Sequence, residues 1–202
     1  MSTLVGSLWP DAEGNSAKNS FDTNLHRLRK LIDIEDILTQ TEGRLTLDPA
    51  KFWIDVWAFD ELVSRIENAA HQPACASDIR YGELAKELVR IYAGHFIEKE
   101  SQEPWAVAAR DKLRARFVRA VTTLGAGFDQ LNRWDAAAAL YARALELDNQ
   151  AETLYRRQVI CYRELGETAE ALKVYRRCRD LLSIVLSLKP SSETEAIHAT
   201  LR

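Results

Sequence analysis

The sequence predicts a mainly α-helical protein with one small β-hairpin, and three observations lead to this prediction. Apolar residues recur at steps of three and four along most of the 202-residue chain, which is the spacing of one helix face. One segment near residue 43 alternates apolar and polar residues instead, as strands do. The last third repeats with a period of 34 residues, the length of a tetratricopeptide (TPR) helix pair.

Two helices are predicted at the N-terminus. The segment TLVGSLW is apolar and stops before Pro10, which cannot continue a helix, and DAEG then forms a turn. Asn15 or Ser16 is a suitable N-cap for the second helix. An apolar stripe predicts the buried side of that helix, and its members are Ala17, Phe21, Leu25, Leu28 and Ile32.

A hairpin follows the second helix. Two strand-like segments, ILTQT and RLTLDP, flank the dipeptide Glu42-Gly43, which favours a tight turn. Asp55 is then a suitable cap for the next helix. The order of short helix, turn, second helix and hairpin is that of a winged helix-turn-helix, whose second helix enters the major groove of DNA.

The rest of the chain is predicted to be helical. Helices are expected over 56–70, from 78 to near Gly94, and from 104–105 to 131. In the repeat, a shift of 34 residues places Ala137 on Ala171 and Tyr141 on Tyr175, so small and aromatic residues recur together.

The turns of the repeat are predicted as well. Asn132 and Gly166 fall where each helix pair must reverse direction. Because two copies rarely stand alone, the helices over about 56–120 are expected to extend the stack. The predicted architecture is a partial winged helix-turn-helix over 1–60, followed by a TPR-like helical bundle or solenoid over 61–202.

The second helix carries the residues that favour DNA binding. Opposite Phe21, its face presents amide, hydroxyl and cationic groups, and Asp22 is the one acidic residue there. Asn can bond adenine edges, whereas Arg and Lys bond guanine or phosphate. A further arginine lies just past the hairpin turn, at the tip of the predicted wing. The predicted DNA-binding residues are Asn19, Thr23, His26, Arg27, Lys30 and Arg44.

The overall charge argues against DNA binding. The formal net charge is -3, and residues 1–60 hold six Lys and Arg against ten Asp and Glu. Most of these acidic residues lie outside the helix face, at the turns around it and beyond the hairpin. A cationic helix face is also common as an ordinary solvated surface, so this second interpretation stays open.

No motif indicates catalysis or metal binding. The sequence contains neither a phosphate-binding glycine loop nor HExxH or GxSxG, and its four histidines are scattered. Cys75, Cys161 and Cys178 form no CxxC pair, and the last two are predicted to be small core residues. We expect no enzyme activity, no cofactor and no metal.

Neither a signal peptide nor a membrane segment is predicted. The N-terminus lacks a basic region followed by a long apolar one, and no run approaches the ~18 apolar residues that span a bilayer. We therefore expect a cytoplasmic protein that makes no membrane contact.

The chain resembles the antibiotic-regulatory-protein (SARP-type) transcription activators. It resembles the second half of their winged helix in LWPDAEG, NSFDTNLHRLRKLI and GRLTLDPAKFWIDVWAFDEL. It resembles the bacterial transcriptional activator domain that follows in EPWAVAARDKLRARFVRAV, NRWDAAAALYARALELD and AETLYRRQVICYRELGETAEALKVYRRCRDLLSIVL. Together these segments cover nearly the whole sequence.

The resemblance implies a regulator that binds promoter DNA through its winged helix. The helical domain would support dimerisation or contact RNA polymerase, and Arg44 would lie in the wing. Family members carry an N-terminal sheet and a first helix before LWPD, whereas this sequence starts a few residues before that segment. We therefore expect an incomplete winged helix that exposes Leu4, Leu8, Phe21 and Leu25.

Three classes of function remain open from the sequence. The cationic helix face and Arg44 favour a DNA-binding transcription regulator. The acidic balance of residues 1–60 and the missing N-terminal sheet favour a protein-interaction adaptor without DNA binding. No residue supports the third class, a catalytic or ligand-binding helical protein.

Overall fold

The structure is a computed structural model that describes residues 2–9, 11, 14–34, 37–72, 77–94, 96–97 and 104–201. It divides into two compact units, Met1–Asp55 and Val56–Arg202. The predicted order of elements is confirmed: two helices and a hairpin come first, and only helices follow in the described part of the chain.

The first unit contains the two predicted helices and the hairpin. Helix α1 spans Ser2–Leu8 and helix α2 spans Gly14–Ile32. Strands β1 (Leu38–Thr41) and β2 (Arg44–Leu47) pair antiparallel, with Leu38 opposite Leu47. Both turn residues have positive φ, 51° at Glu42 and 75° at Gly43. A two-residue hairpin turn of this type favours Gly, which explains the dipeptide.

The core of the first unit forms between α2 and the hairpin. Phe21 and Leu25 are 4% and 6% exposed and pack in one cluster with Ile37 and Leu38. The expectation that Phe21 and Leu25 would be exposed is therefore wrong. Side chains of α1, of the residue that follows it and of the hairpin cover them, and these are Val5, Trp9, Leu45 and Leu47.

Other apolar residues of the first unit remain at the surface. Leu4 and Leu8 of α1 are 42% and 52% exposed, as expected. Leu28, predicted to be buried with the stripe of α2, is 43% exposed. Leu28 does not belong to the core cluster, although Ile32, one turn further along the same stripe, packs against it.

The second unit is a stack of helices. Its helices are α3 (Asp55–Ala70), α4 (Asp78–Ile91), α5 (Pro104–Gln130), α6 (Trp134–Leu147), α7 (Glu152–Glu164), α8 (Thr168–Val185) and α9 (Ser192–Ala199). Helix α4 ends three residues before the predicted end near Gly94, because Tyr92 leaves helical geometry and stacks on Phe117 with ring centroids 3.9 Å apart.

The 34-residue repeat is confirmed in the helix pairs α5–α6 and α7–α8. Asn132 and Gly166 join the two helices of each pair and have similar left-handed conformations, with φ of 55° and 76°. The equivalent Ala137 and Ala171 are fully buried, which lets the paired helices approach closely. Successive helices from α4 to α8 pack on one another, so the TPR-like arrangement extends before the repeat.

A partly buried ion pair joins α5 to the end of α6. Arg114 Nε and Nη2 donate to the Asp148 carboxylate at 2.6 and 3.1 Å, and Asp148 is only 1% exposed. Burial and the nearby Asp148 charge raise the pKa of Tyr92 to about 12. Cys161 and Cys178 are buried core residues, as predicted, whereas Cys75 lies outside the described residues.

Candidate nucleic-acid interface

The outer face of α2 presents every predicted helix residue to solvent. Asn19, Thr23, His26, Arg27 and Lys30 are all exposed, whereas Ala17, Phe21 and Leu25 on the opposite side are buried. This division follows from the helix period of about 3.6 residues, which separates the two sets onto opposite sides.

A shallow surface groove brings together three of the predicted residues. It runs along α2 from Ser16 to Arg27, beside Trp9, the residue that follows α1. The groove is lined mainly by amides and hydroxyls, which donate and accept hydrogen bonds without adding charge. Its lining residues are Trp9, Ser16, Asn19, Ser20, Thr23, Asn24 and Arg27.

The sequence reasoning passed over Ser20 and Asn24 in this groove. The Asn24 side-chain amide donates to the Ser20 carbonyl oxygen at 2.9 Å, one turn earlier on the helix. This bond orients the Asn24 side chain along the groove. Four-residue spacing along a helix is the signal that would have identified the pair.

The remaining predicted residues lie outside the groove. His26 and Lys30 are exposed on α2 but are not among the residues that line it. Arg44 is exposed at the first position of β2, directly after the turn and opposite Thr41. The predicted set is therefore spread over a helix groove, the helix surface beside that groove and the hairpin end.

The local charge of α2 differs from that of the unit around it. Helix α2 contains four Lys and Arg residues and one acidic residue, Asp22, which is exposed. The acidic excess of residues 1–60 therefore comes from segments outside this helix. A concentration of cations on a polar helix face is suited to a polyanion such as DNA.

Arg29 of α2 contacts another element of the same unit. Its Nε and Nη2 both donate to the Leu38 carbonyl oxygen of β1, at 3.2 and 2.9 Å. Arg29 was not among the residues predicted to bind DNA. Nothing in its spacing identifies a partner nine residues away, because that contact depends on how the chain turns after α2.

The described residues offer neither a metal site nor a membrane span. No group of three or more His, Cys, Asp or Glu side chains among them is arranged to hold a metal ion. None of the helices in the described ranges is long and apolar enough to cross a bilayer.

A family comparison classifies the helical part of the chain. The sequence profile of the bacterial transcriptional activator domain matches residues 54–202. The chain belongs to the bacterial transcriptional activator domain family. This match confirms the resemblance to SARP-type transcription activators, and that family is one of transcription regulators rather than of enzymes. No curated protein matches the chain.

A solved structure shares the fold of this bacterial transcriptional activator domain protein. EmbR from Mycobacterium tuberculosis, in a complex with a low-affinity phosphopeptide, superposes with a TM-score of 0.68 at 19% sequence identity. The match covers 98% of this chain and 53% of the EmbR chain, so this chain spans about half the length of that protein. At this identity the likeness establishes the fold.

Proposed function

We propose that this transcription regulator binds duplex promoter DNA through the first unit. Helix α2 lies in the major groove, and the hairpin acts as a wing that contacts the phosphate backbone or the minor groove. The helical unit contacts RNA polymerase or a second copy of the chain. A cytoplasmic location follows from a promoter DNA target.

The observation that supports this proposal is the polar and cationic outer face of α2. In the groove, Asn19 offers the amide that can bond adenine, and Arg27 offers the fork that can bond guanine. Lys30, His26 and Arg44 are exposed beyond the groove, where phosphate contacts position a protein on the duplex.

Selection from a random pool of duplex DNA across a salt series tests the proposal. We expect salt-sensitive binding that enriches one sequence motif. In the double variant Arg27→Ala and Lys30→Ala, loss of a base contact costs about 1–3 kcal/mol, and loss of a phosphate contact lowers the salt slope by about 1.

A matched double variant controls for the loss of two positive charges. Lys86→Ala and Arg119→Ala remove one lysine and one arginine that are exposed on α4 and α5 of the helical unit. This control is expected to enrich the same motif as the wild-type chain. An absence of DNA binding in the folded wild-type protein, or equal losses in both double variants, would refute DNA reading by α2.

The alternative function is a protein-interaction adaptor that does not bind DNA. The TPR-like stack of α4–α8 favours it, because stacked helix pairs build extended surfaces for partners. The acidic excess of residues 1–60 points the same way. A folded chain that binds RNA polymerase in a pull-down but fails to enrich any DNA motif would favour the adaptor.

A further inference from the structure

We propose that Arg29 is a positioning residue that holds the hairpin against the recognition helix and does not contact DNA. This inference rests on the proposed function of α2 and the hairpin. It separates the cations of the HRLRK segment into two roles. Arg27 and Lys30 are DNA contacts in the proposal, whereas the guanidinium of Arg29, which is also exposed, donates hydrogen bonds to a carbonyl oxygen within the protein.

The Arg29 guanidinium is held in place by two hydrogen bonds. Two guanidinium nitrogens donate to one carbonyl oxygen, at 3.2 Å from Nε and 2.9 Å from Nη2, so both the position and the direction of the group are fixed. The acceptor belongs to Leu38, the first residue of β1, whose side chain is 6% exposed in the core of the unit.

Arg29 lies in the last turn of α2, directly before the connection to the hairpin. Its own carbonyl oxygen accepts the Asp33 N–H at 3.0 Å, and Asp33 has a φ of 52° where the helix ends. The backbone of Arg29 thus closes the last turn of α2, while its side chain reaches the first residue of β1. Arg29 therefore bonds both the residue at the end of α2, Asp33, and the first residue of β1, Leu38.

The consequence for DNA binding is geometric. Arg44 extends from β2, which is held to β1 by the antiparallel register Leu38–Leu47 to Thr41–Arg44. A hairpin fixed at Leu38 presents Arg44 at a constant position relative to the groove on α2. Loss of the Arg29 contact would release the hairpin, so that Arg44 would no longer be held at a fixed position relative to the base-contacting residues of α2. No side chain that contacts DNA in the proposal would be lost.

The test is the variant Arg29→Gln in the full chain, beside Arg27→Gln as the matched charge control. Amide hydrogen exchange, measured without DNA, is expected to accelerate over residues 38–47 in Arg29→Gln and to stay unchanged in Arg27→Gln. With DNA, Arg29→Gln is expected to reduce motif-specific affinity about tenfold while leaving the salt slope of non-specific binding unchanged.

Two results would overturn the positioning role of Arg29. The first is unchanged hydrogen exchange over the hairpin in Arg29→Gln. The second is a salt slope lowered by about 1, which would make Arg29 a phosphate contact. If the wild-type chain binds no DNA, the proposed function fails and with it the DNA-binding consequence, whereas hairpin exchange still decides the contact itself.

Discussion

At the scale of single residues, the neighbours of a glycine in the helical unit determine whether a larger residue can replace it. An added Cβ at Gly125 of α5 would lie 1.9 Å from Tyr141 Oη and 2.3 Å from its Cζ. Tyr141 is fully buried, so its ring has no free space into which it can retreat. At Gly82 of α4, by contrast, an added Cβ meets nothing within 4 Å.

We expect Gly125→Ala to destabilise the protein and Gly82→Ala to stabilise it. Overpacking against Tyr141 costs about 1–3 kcal/mol, whereas an unhindered Gly-to-Ala change in a helix gains about 0.5–1 kcal/mol. Urea unfolding followed by circular dichroism measures both. Equal effects of the two variants would contradict the close approach of α5 and α6 at Gly125.

Because two cysteine thiols are buried, we expect the protein to lose stability at high pH. Burial raises the pKa of Cys161 and of Cys178 from 9.0 to about 12 in the folded protein. Their contribution to stability is complete below the unfolded value and is lost as pH rises from 9.0 towards about 12, because only the unfolded chain releases these protons readily.

The measurement is the free energy of unfolding as a function of alkaline pH. We expect it to fall as pH rises above 9.0, and to fall less steeply in the double variant Cys161→Ala and Cys178→Ala. That variant leaves the buried tyrosines, whose raised pKa values also lower stability but only above their ordinary value of 10.0, so the thiols act alone between 9.0 and 10.0. Identical slopes for the two proteins would show that thiol ionisation is not the cause.

At the scale of elements, the last helix is held to the stack by a small polar network. Glu152 Oε1, at the start of α7, accepts from Ser191 N at 2.7 Å, Ser191 Oγ at 2.7 Å and Thr194 Oγ1 at 2.6 Å. Although burial opposes ionisation, hydrogen bonds from Thr194 and Ser191 lower the pKa of the Glu152 carboxyl. One carboxylate thus anchors the first turn of α9.

We expect Glu152→Ala to loosen α9 without unfolding the stack. Three hydrogen bonds are lost and the buried Thr194 hydroxyl loses its carboxylate partner, at a cost of about 2 kcal/mol. Hydrogen exchange should accelerate over residues 191–201 and remain slow in α5 and α6. Glu193→Ala removes an exposed carboxylate of the same helix and is the control; an equal response to it would contradict the anchor.

At the scale of the whole molecule, the two units have separate cores. The second unit contains the larger cluster, which runs from Phe59 of α3 to Leu182 of α8. A domain of this size with its own continuous core is large enough to fold without the first unit. The family profile begins at residue 54, close to the boundary between the units.

We therefore expect a fragment of residues 56–202 to fold alone. It should retain helical circular dichroism and a cooperative thermal transition, because its buried residues are supplied within the unit. The full chain under identical conditions is the reference. A fragment with a broad, non-cooperative transition would show that the helical stack depends on the first unit.

The helix faces, the hairpin turn and the repeat could all be predicted from the sequence. These features depend on local rules: the helix period separated exposed Asn19 and Thr23 from buried Phe21, and positive φ at Gly43 and Gly166 matched residues chosen for turns. The resemblance to SARP-type activators, now confirmed by the family match, added the class of protein. The DNA-binding roles of individual residues stay predictions.

Which residues of a helix face contact a partner could be seen only in the folded structure. Leu28 shares the stripe of Phe21 yet lies outside the core, and Arg29 sits between proposed DNA contacts yet bonds the Leu38 carbonyl. The Glu152 carboxylate likewise meets Ser191 39 residues away. Local periodicity determines the direction in which a side chain points. Its partner depends on how segments distant in sequence pack together, and no short-range sequence pattern specifies that packing.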